Sequence, residues 1–443
     1  MNASPSVRLN REPRCMSPMA LLLRAAFIAG VSAGYLFWGA FVAGCIALVD
    51  TRTNAKRFLA RKLAQLLQRL GPTFLKVGQV LSTRRDILPA SLCNELALLQ
   101  DSVPPLAPEK ARIALAEAYG SKLSEIFKQI DYAAVASGSI ACVYRGELWD
   151  GSYLAIKLQR PGIVTAMGAD LGLMISLGKA LAKLPYLRTI RLRETLDQLC
   201  NAVYAQLNFF YESENLLQLQ RSLSRVPRVV VPRLDKSLCR DRVIVMEFIT
   251  GLEMRGANNY SIATRKRLAA TVLASVYRLL FVDGLVHCDL HLGNLYFKET
   301  GQVVFLDAGF CIQMSDKMRR LFGEFFLNMS IGNGRRCADL VIESSETNNP
   351  KLELEEFRLG FAELVRRYSR LAAKDFSLIK FAVEMFQLQH KFGLLIATEL
   401  VFPLLSLLVI EGTVRALDPD ADFQKAAEPI VTEGIFGARQ YAY

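Results

Sequence analysis

The stretch His287-Cys288-Asp289-Leu290-His291-Leu292-Gly293-Asn294, with Phe305-Leu306-Asp307-Ala308-Gly309 further along, decides the fold predicted for this chain. Asp289 and Asn294 are five residues apart, and Asp307 follows Asn294 by thirteen. Between Asn294 and Asp307, an apolar run lies on each side of the polar turn around Thr300-Gly301, which predicts a β-hairpin. Such a hairpin would return Asp307 to the end of the sheet where Asn294 lies, within reach of one Mg²⁺ ion.

These offsets are those of a kinase-type phosphoryl-transfer site. Kinases carry H-R-D-x-x-x-x-N in the catalytic loop and a metal-binding Asp in the D-F-G that follows. A polar loop with a chance match is the alternative interpretation. Further motifs upstream argue against it, because they occur in the order that a kinase requires.

The composition indicates an apolar protein of a reducing compartment. Hydrophobic residues make up 52 % of the 443 positions, and the net charge is +12. A basic chain favours nucleic acid or an anionic membrane, and with this apolar content we predict the membrane and no nucleic-acid partner. The nine cysteines include no CxxC pair, which argues against a disulfide framework and a structural zinc site.

One N-terminal segment predicts a membrane span. Residues 25–49 carry no charge over twenty-five positions, and about 20 apolar residues are enough to cross a bilayer. Basic residues lie on both sides, so the positive-inside rule points only weakly to the C-terminal side as the inside. Gly30 and Gly34 form a GxxxG step that predicts a homodimer through this helix, with ordinary small-residue content as an equal alternative.

Two other interpretations of the N-terminus stay open. Val42-Ala43-Gly44-Cys45 resembles a lipoprotein cleavage box, although the apolar run continues past the cysteine. The first 24 residues contain arginines and almost no acid, as a mitochondrial leader does. The predicted location is a bacterial inner membrane, and a mitochondrial inner membrane is the alternative.

Helices are predicted on both sides of the catalytic stretch. Residues 51–70 form a basic amphipathic helix that faces either anionic lipid headgroups or the rest of the protein. Residues 71–130 are also predicted to be helical. The apolar stretch 392–410 contains Glu399 and Pro403, which favours a buried helix over a second membrane span.

A second hairpin carries the lysine that a kinase needs. Residues 140–148 and 153–158 alternate like strands around the turn Asp150-Gly151. Lys157 lies on the second strand, where a lysine is costly unless it meets an acid or a phosphate. The loop before this hairpin, residues 133–141, would cover the phosphates with one glycine and several alanines.

Candidate nucleotide contacts follow from this order of elements. Within the loop they are Ala136, Ser137, Gly138 and Ser139. Glu247 lies near the end of the predicted strand 243–248, where kinases place the hinge that meets adenine.

At this point the chain resembles the UbiB family of atypical kinase-like proteins, also called the ADCK family, from about residue 70 to residue 330. The motifs that carry the resemblance, besides the catalytic stretch and the alanine-rich loop, are Lys76-Val77-Gly78-Gln79, Ser82-Thr83-Arg84-Arg85-Asp86-Ile87-Leu88-Pro89, Lys157-Leu158-Gln159-Arg160-Pro161-Gly162 and Phe209-Phe210-Tyr211-Glu212-Ser213-Glu214-Asn215. The resemblance implies ATP and Mg²⁺ as cofactors, membrane association, and support of coenzyme Q (ubiquinone) or related prenyl-lipid biosynthesis.

The resemblance also implies a role for each matched residue. Lys157 and Glu212 would form the ion pair that places the α- and β-phosphates. Asp289 would be the catalytic base or water-orienting group, and Asn294 and Asp307 would hold Mg²⁺. Two further residues, Lys76 and Gln79, would project from an N-terminal extension into the place of a peptide substrate.

The implied fold class is α+β: a protein-kinase-like bilobal fold with a helical N-terminal extension and an N-terminal transmembrane helix. The predicted domains are a leader (1–24), the membrane helix (25–49), the basic helix and extension (50–130), the N-lobe with a helical insertion (131–250), the C-lobe (251–420) and a C-terminal tail (421–443).

The sequence departs from the family pattern at four places. The family often has an acidic E-x-D motif just before the helix glutamate, and here those positions read Gln206-Leu207-Asn208. If the two acids normally pair with Lys76 or help to bind metal, both roles are in doubt in this chain. D-F-G reads D-A-G because of Ala308, and leucines replace the two prolines usual in the catalytic loop. No A-P-E follows Asp307, so a peptide-docking segment is missing and a non-protein substrate is favoured.

The leading hypothesis is a membrane-anchored ATPase or kinase that serves quinone biosynthesis. Its predicted partners are anionic lipid headgroups and quinone or prenyl-lipid intermediates. A true protein kinase is the second hypothesis. A non-catalytic scaffold that binds nucleotide and assembles biosynthetic enzymes is the third.

Overall fold

The structure, a computed structural model, describes residues 16–49, 52–83, 88–99, 103–181, 192–252, 259–290, 294–345, 354–369, 371, 374–394 and 397–437. Its helices are α1 (Pro18–Val49), α2 (Arg52–Leu70), α3 (Pro72–Thr83), α4 (Ala90–Ala97), α5 (Pro108–Tyr119), α6 (Lys122–Ile126), α7 (Ile163–Leu181), α8 (Leu192–Ala205), α9 (Phe209–Leu223), α10 (Ile262–Tyr277), α11 (Asp316–Ser330), α12 (Gly334–Ser344), α13 (Leu354–Ser369), α14 (Leu378–Lys391), α15 (Thr398–Leu417) and α16 (Phe423–Phe436). Its strands are β1 (Phe127–Ser137), β2 (Ala141–Leu148), β3 (Tyr153–Gln159), β4 (Val229–Val230), β5 (Val243–Glu247), β6 (Leu285–His287), β7 (Leu295–Phe297), β8 (Val303–Phe305) and β9 (Cys311–Gln313).

The chain divides into two compact units. The first consists of Met1–Tyr211 with Leu234–Phe248, and the second of Glu212–Arg233 with Ile249–Tyr443. Helices and strands are mixed in both units, which confirms the α+β class.

An antiparallel sheet in the order β1-β2-β3-β5 forms the core of the first unit. The predicted hairpin between β2 and β3 is confirmed, and Gly151 closes it with a φ of 84° that favours glycine. Tyr144 and Ile156 on these strands are fully buried against Leu115 of α5. The sheet therefore holds the backbone of Lys157 between two paired strands.

The loop predicted at residues 133–141 is shorter in the structure. Residues 133–137 belong to β1, which begins at Phe127, and only residues 138–140 connect it to β2. The prediction failed because three alanines and a valine show no alternation between apolar and polar positions. Pairing with β2 recruits them, with a register irregularity between Asp131 and Ala136.

The apolar N-terminal helix begins earlier than predicted, at Pro18 instead of Ala25. Its residues Pro18–Gly44 are long and apolar enough to cross a membrane, with a mean hydropathy of 1.7. Arg24, predicted to flank the span, lies inside the helix. Its guanidinium donates to Asp170 at 2.7 and 2.8 Å, and Thr73 donates to the same carboxylate at 2.7 Å. An apolar helix tolerates this arginine because its charge is paired.

The predicted amphipathic helix is confirmed as α2. Its apolar face, which includes Leu66, Leu67 and Leu70, packs inside the first unit together with Ile28 and Val31 of α1. The apolar face of α2 is therefore used within the protein. Of its cations, those exposed are Lys56, Arg57, Arg61 and Arg69.

The second unit contains two small sheets, β4-β8-β7 and β6-β9, among helices. The hairpin predicted between Asn294 and Asp307 is confirmed, since Leu295 of β7 pairs with Phe305 of β8. Gly301 lies at its turn with a φ of 83°.

The apolar stretch near residue 400 is a buried helix, as predicted. Glu399 at the start of α15 accepts the Ser315 hydroxyl at 2.6 Å. Glu411, only 3 % exposed, accepts the backbone N–H groups of Leu378 and Ile379 at 3.0 Å each. These carboxylates cap the first turns of α11 and α14, so α15 is packed through its charged groups as well as its apolar ones. By length and composition alone, α15 and α7 would each reach the threshold for a span.

Helix α16 occupies residues for which the sequence pattern predicts only a tail. It buries Phe423 and Val431, and it packs closely at Gly434 on the π-helical turn Arg278–Asp283 that precedes β6. Buried Arg319 donates to the carbonyl oxygens of both Phe281 and Gly434 at 2.7 Å. This bridge ties α16 to the turn that leads into the catalytic stretch.

Candidate active site

The hairpin formed by β7 and β8 brings the predicted metal ligands together. The N–H of Leu306 donates to the carbonyl oxygen of Asn294 at 3.2 Å, so Leu306 lies opposite Asn294 and Asp307 is the next residue along the chain. The Asn294 Nδ2 atom donates to the Asp289 carbonyl oxygen at 2.9 Å and lies 3.3 Å from Asp289 Oδ2. Because Nδ2 points at Asp289, the amide oxygen is the atom that Asn294 can offer to a cation. Residues 291–293, which include Leu292, lie outside the described residues.

A tight turn at Gly309 holds the Asp307 carboxylate, and the Glu212 carboxylate of α9 lies near the same glycine. The N–H of Gly309 donates to Asp307 Oδ1 at 2.7 Å. A Cβ atom on Gly309 would lie 3.0 Å from that oxygen and 3.5 Å from Glu212 Oε2. Glu212 is 6 % exposed, and Asn215, one turn further along α9, donates to the Ala308 carbonyl oxygen at 3.0 Å. Two neighbouring carboxylates repel each other when both are ionised, so a positive charge near them would stabilise this arrangement.

His287 links the two halves of the site. Its Nε2 atom lies 2.8 Å from the Asp307 carbonyl oxygen, which can only accept, so Nε2 carries the proton. Its Nδ1 atom accepts the N–H of Asp289 at 3.3 Å. One donor and one acceptor define a neutral imidazole. The sequence marks His287 as part of a motif but does not show this bridging role.

We expect His287→Phe to lower nucleotide turnover at least about tenfold, since Asp289 and Asp307 would lose their common support. The ring keeps most of the volume, so the effect should come from the two lost hydrogen bonds. The Mg²⁺ concentration for half-maximal turnover should rise as well. His390→Phe, at an exposed position on α14, is the matched control and should leave both quantities unchanged.

Two cysteines lie next to the acidic residues. Burial raises the pKa of the Cys311 thiol well above its usual range, and the charges of Asp307, Glu212 and Asp289 raise it further. Burial likewise raises the pKa of Cys288. Both thiols therefore stay protonated at neutral pH and do not serve as nucleophiles.

The alanine at the D-F-G position is compensated locally. Ala308 is fully buried. The next aromatic residue, Phe310, is 4 % exposed and packs edge-on against Phe402 of α15, with ring centroids 5.4 Å apart. An aromatic anchor is thus present two residues after the place where the family pattern has it.

In the first unit, Lys157 is half-buried on β3, and its Nζ atom lies 5.9 Å from the centre of the Phe209 ring. Its partnership with Glu212 remains a prediction. Asn208, one of the departures, accepts the N–H groups of Phe210 and Tyr211 at 3.0 and 3.4 Å. It caps α9, a task that Asn and Asp perform equally well. Gln206 is buried and donates to the Ala202 carbonyl oxygen at 3.2 Å.

Arg160 of the first unit holds the connection between β1 and β2. It donates to the carbonyl oxygens of Gly138 and Pro104 at 2.9 and 2.8 Å, and to the Ser137 hydroxyl at 2.8 Å. Ser139 is fully buried, whereas Ala136 is exposed. Since the hydroxyls of Ser137 and Ser139 face protein or lie buried, nucleotide contact here would come from backbone N–H groups.

The remaining predicted residues also lie in the first unit. Lys76 is buried in α3 at 8 % exposure, and Gln79 donates to the Leu99 carbonyl oxygen at 3.3 Å. Glu247 is exposed at the end of β5. Residues 84–87 of the second family motif lie outside the described residues.

The donor set fits Mg²⁺. Carboxylate and amide oxygens are its preferred protein ligands, and it usually takes one or two carboxylates from the protein and the rest from phosphates and water. In the described ranges, no group of three or more His, Cys, Asp or Glu residues is placed to hold a metal on its own.

The sheet with its lysine and the hairpin with its Asp-Asn-Asp arrangement define a protein-kinase-like fold. A profile of the ABC1 atypical kinase-like domain matches residues 98–341. The chain belongs to this ABC1, or UbiB, family of atypical kinase-like proteins.

Known proteins similar to this chain agree with the assignment. The probable protein kinase UbiB of Aeromonas salmonicida is 31 % identical over 81 % of this chain and 67 % of its own length. That of Pseudomonas fluorescens strain SBW25 is 30 % identical over 84 % of this chain and 70 % of its own. The Mycobacterium tuberculosis protein Rv3197, solved in complex with erythromycin, has a TM-score of 0.56 at 21 % identity, over 82 % of this chain and 92 % of its own. This last likeness concerns the fold alone.

Proposed function

We propose that this chain is a membrane-associated atypical kinase or ATPase that binds Mg-ATP and supports the biosynthesis of ubiquinone or a related prenyl lipid. The observation that carries the proposal is the convergence of Asp289, Asn294, Asp307 and Glu212, held by the β7–β8 hairpin and the Gly309 turn. A family of kinase-like proteins supplies the reaction class.

Each residue of the candidate site has its own role in the proposed reaction. Bound Mg²⁺ supplies neutralisation of the phosphate charge, and Asp307 and Asn294 would hold it. Asp289, supported through its N–H by His287, orients the attacking oxygen and accepts its proton. Lys157 would pair with the α- and β-phosphates, which is the role that the family resemblance gives it.

Water, a small molecule or a lipid is a better acceptor than a protein in this site. After Gly309 the chain forms the short strand β9 and enters α11 at Asp316. This leaves no length for the activation segment on which peptide substrates dock in protein kinases.

Lipid contact is proposed from the first unit. The outer face of α1 exposes large apolar side chains, among them Leu22, Phe37, Trp38 and Phe41. The exposed cations of α2 favour anionic headgroups. We place the protein at a membrane, with the bacterial inner membrane as the favoured one, and the open faces of Gly30 and Gly34 remain available for a homodimer.

The test is ATP turnover by the full-length chain in detergent and in vesicles with and without anionic lipid. We expect Mg²⁺-dependent phosphate release that anionic vesicles increase. Asp289→Asn should lower it at least about 100-fold while Mg²⁺-dependent nucleotide binding persists, because a general base acts on the reaction and not on affinity. Asp420→Asn, at an exposed turn, is the control.

The same experiment separates the alternatives. Labelled phosphate on a protein, absent with Asp289→Asn, would favour a protein kinase. Nucleotide binding with no turnover above the variant would favour a scaffold. For the pathway, loss of the gene in its host should lower the ubiquinone content, and the Asp289→Asn variant should fail to restore it.

A further inference from the structure

The apolar helix α1 and the basic helix α2 form an antiparallel hairpin in the first unit. At one end, Arg24 of α1 donates to the Leu70 carbonyl oxygen at the end of α2 at 2.8 Å. Further along, a Cβ atom on Gly39 of α1 would lie 3.7 Å from the Cβ atom of Lys62 in α2. Later residues of α1 thus meet earlier residues of α2, so α2 lies beside the apolar stretch of α1.

This arrangement conflicts with a membrane-spanning orientation of α1. If α1 crossed a bilayer in this conformation, α2 would lie at the same depth, among the acyl chains. The exposed cations of α2 are Lys56, Arg57, Arg61 and Arg69. Charged side chains are costly in the hydrocarbon of a bilayer. A span would therefore require α1 to separate from α2.

A buried ion pair opposes that separation. The Arg24 guanidinium donates to both carboxylate oxygens of Asp170 on α7, at 2.7 and 2.8 Å, and the Asp170 side chain is only 4 % exposed. Thr73 of α3 donates to the same carboxylate at 2.7 Å. Removal of one partner from a buried ion pair leaves an uncompensated charge, which is strongly unfavourable. The position of α1 on the protein is therefore stabilised by more than apolar packing.

The face of α1 that is turned away from the protein is apolar. Residues 25–44 carry no charge, and Phe27, Phe37, Trp38 and Phe41 are between 44 and 78 % exposed. A helix that lies in a membrane interface buries its apolar face to a depth of about 5–10 Å, while its basic face remains with the headgroups. In this hairpin α1 supplies the apolar part and α2 supplies the basic part.

We propose that the α1–α2 hairpin lies in the plane of an anionic membrane, within one leaflet, and that α1 does not cross the bilayer. The exposed face of α1 then contacts the boundary between headgroups and acyl chains, and the exposed cations of α2 match the negative charge of the headgroups. This inference rests on the membrane association proposed above and specifies its geometry. It does not depend on nucleotide turnover.

The depth of a tryptophan distinguishes the two orientations. Phe27 and Trp38 are eleven residues apart, which places them on the same face of α1 and about 16 Å apart along its axis. In a helix that spans over residues 25–49, Trp38 would lie near the bilayer centre and Phe27 near a surface. In the plane of the membrane, both would lie at the same shallow depth. The chain contains two tryptophans, so Trp149→Phe leaves Trp38 as the single reporter.

The probe is a vesicle of phosphatidylcholine and phosphatidylglycerol whose acyl chains carry bromine either near the headgroup or near the terminal methyl. For full-length Trp149→Phe, we expect fluorescence quenching to be at least about twofold stronger with bromine near the headgroup. The matched variant combines Trp149→Phe with Trp38→Phe and Phe27→Trp, all at exposed positions. It moves the reporter to position 27 and should give the same ratio.

Two outcomes would overturn the proposal. Stronger quenching at position 38 by bromine near the terminal methyl, with the opposite order at position 27, would show a spanning helix. No quenching at either position would show that something else covers this face, such as a second copy of the chain. Vesicle flotation of the same samples tests membrane association itself, so failure of the proposed association is distinguished from failure of its geometry.

A covalent lock between the two helices gives a second test. The Cβ separation of 3.7 Å suits a disulfide formed by the pair Gly39→Cys and Lys62→Cys. With α1 held on α2 in this way, flotation with the vesicles should equal that of the unlocked protein. Loss of flotation on oxidation, reversed by a reductant and not seen with Gly39→Cys alone, would show that α1 must leave α2 to enter the membrane. That result would also overturn the proposal.

Discussion

Asp307→Asn is expected to abolish the Mg²⁺-dependent part of nucleotide binding and, with it, turnover. Even outer-shell changes typically cost about 10- to 100-fold in metal affinity, so loss of a direct ligand should cost at least about 100-fold. The amide is nearly isosteric, and Gly309 can still donate to its oxygen, so the turn should remain folded. Nucleotide affinity with and without Mg²⁺, measured by equilibrium dialysis, is the appropriate readout.

The contrast with Asp289→Asn makes this expectation specific. Both changes should remove turnover, but only Asp307→Asn should remove the effect of Mg²⁺ on affinity. Unchanged Mg²⁺ dependence in the Asp307 variant would show that Asp307 is not a metal ligand, even if turnover were lost.

Gly434→Ala is expected to give the largest loss of stability among single-methyl changes in the second unit. A Cβ atom at this position would lie 2.2 Å from the Phe281 carbonyl oxygen, which belongs to the backbone and cannot rotate away. Helix α16 would have to move off the π-helical turn and break the Arg319 bridge. We expect the free energy of unfolding to fall by about 3 kcal/mol.

The matched control, Gly412→Ala, is expected to change the free energy of unfolding in the opposite direction. Gly412 lies within α15 with nothing within 4 Å of a Cβ atom. Gly412→Ala should therefore stabilise the helix by about 0.5–1 kcal/mol. Thermal unfolding of both variants in the same detergent, with proteolysis at α16 as a second readout, tests the pair. Similar melting temperatures for the two would argue against the close packing at Gly434.

Local patterns were read correctly from the sequence. The hairpin between Asn294 and Asp307 depends on residues that are close along the chain, and apolar periodicity with Gly301 at the turn is enough to specify it. The same holds for the β2–β3 hairpin and for the apolar character of α1. Where the local pattern was weak, as at the alanines of residues 133–137, the prediction failed.

The uses of buried charge were decided by the tertiary structure. Glu212 lies 95 positions before Asp307, and only the packing of α9 against the Gly309 turn brings their carboxylates together. The sequence pattern predicts Arg24 as a residue that flanks the membrane span. In the structure, Arg24 lies within α1 and pairs with Asp170, which is far along the chain.

The sequence by itself determined the class of protein, through motifs that resemble a known family. It also determined the two hairpins and the apolar N-terminal helix, because short-range backbone geometry and composition specify these elements. The tertiary structure decided the bridging role of His287 and the packing of α15 through Glu399 and Glu411. Each of these depends on which distant helix supplies the neighbouring donor, acceptor or apolar surface, and no local period in a sequence encodes that choice.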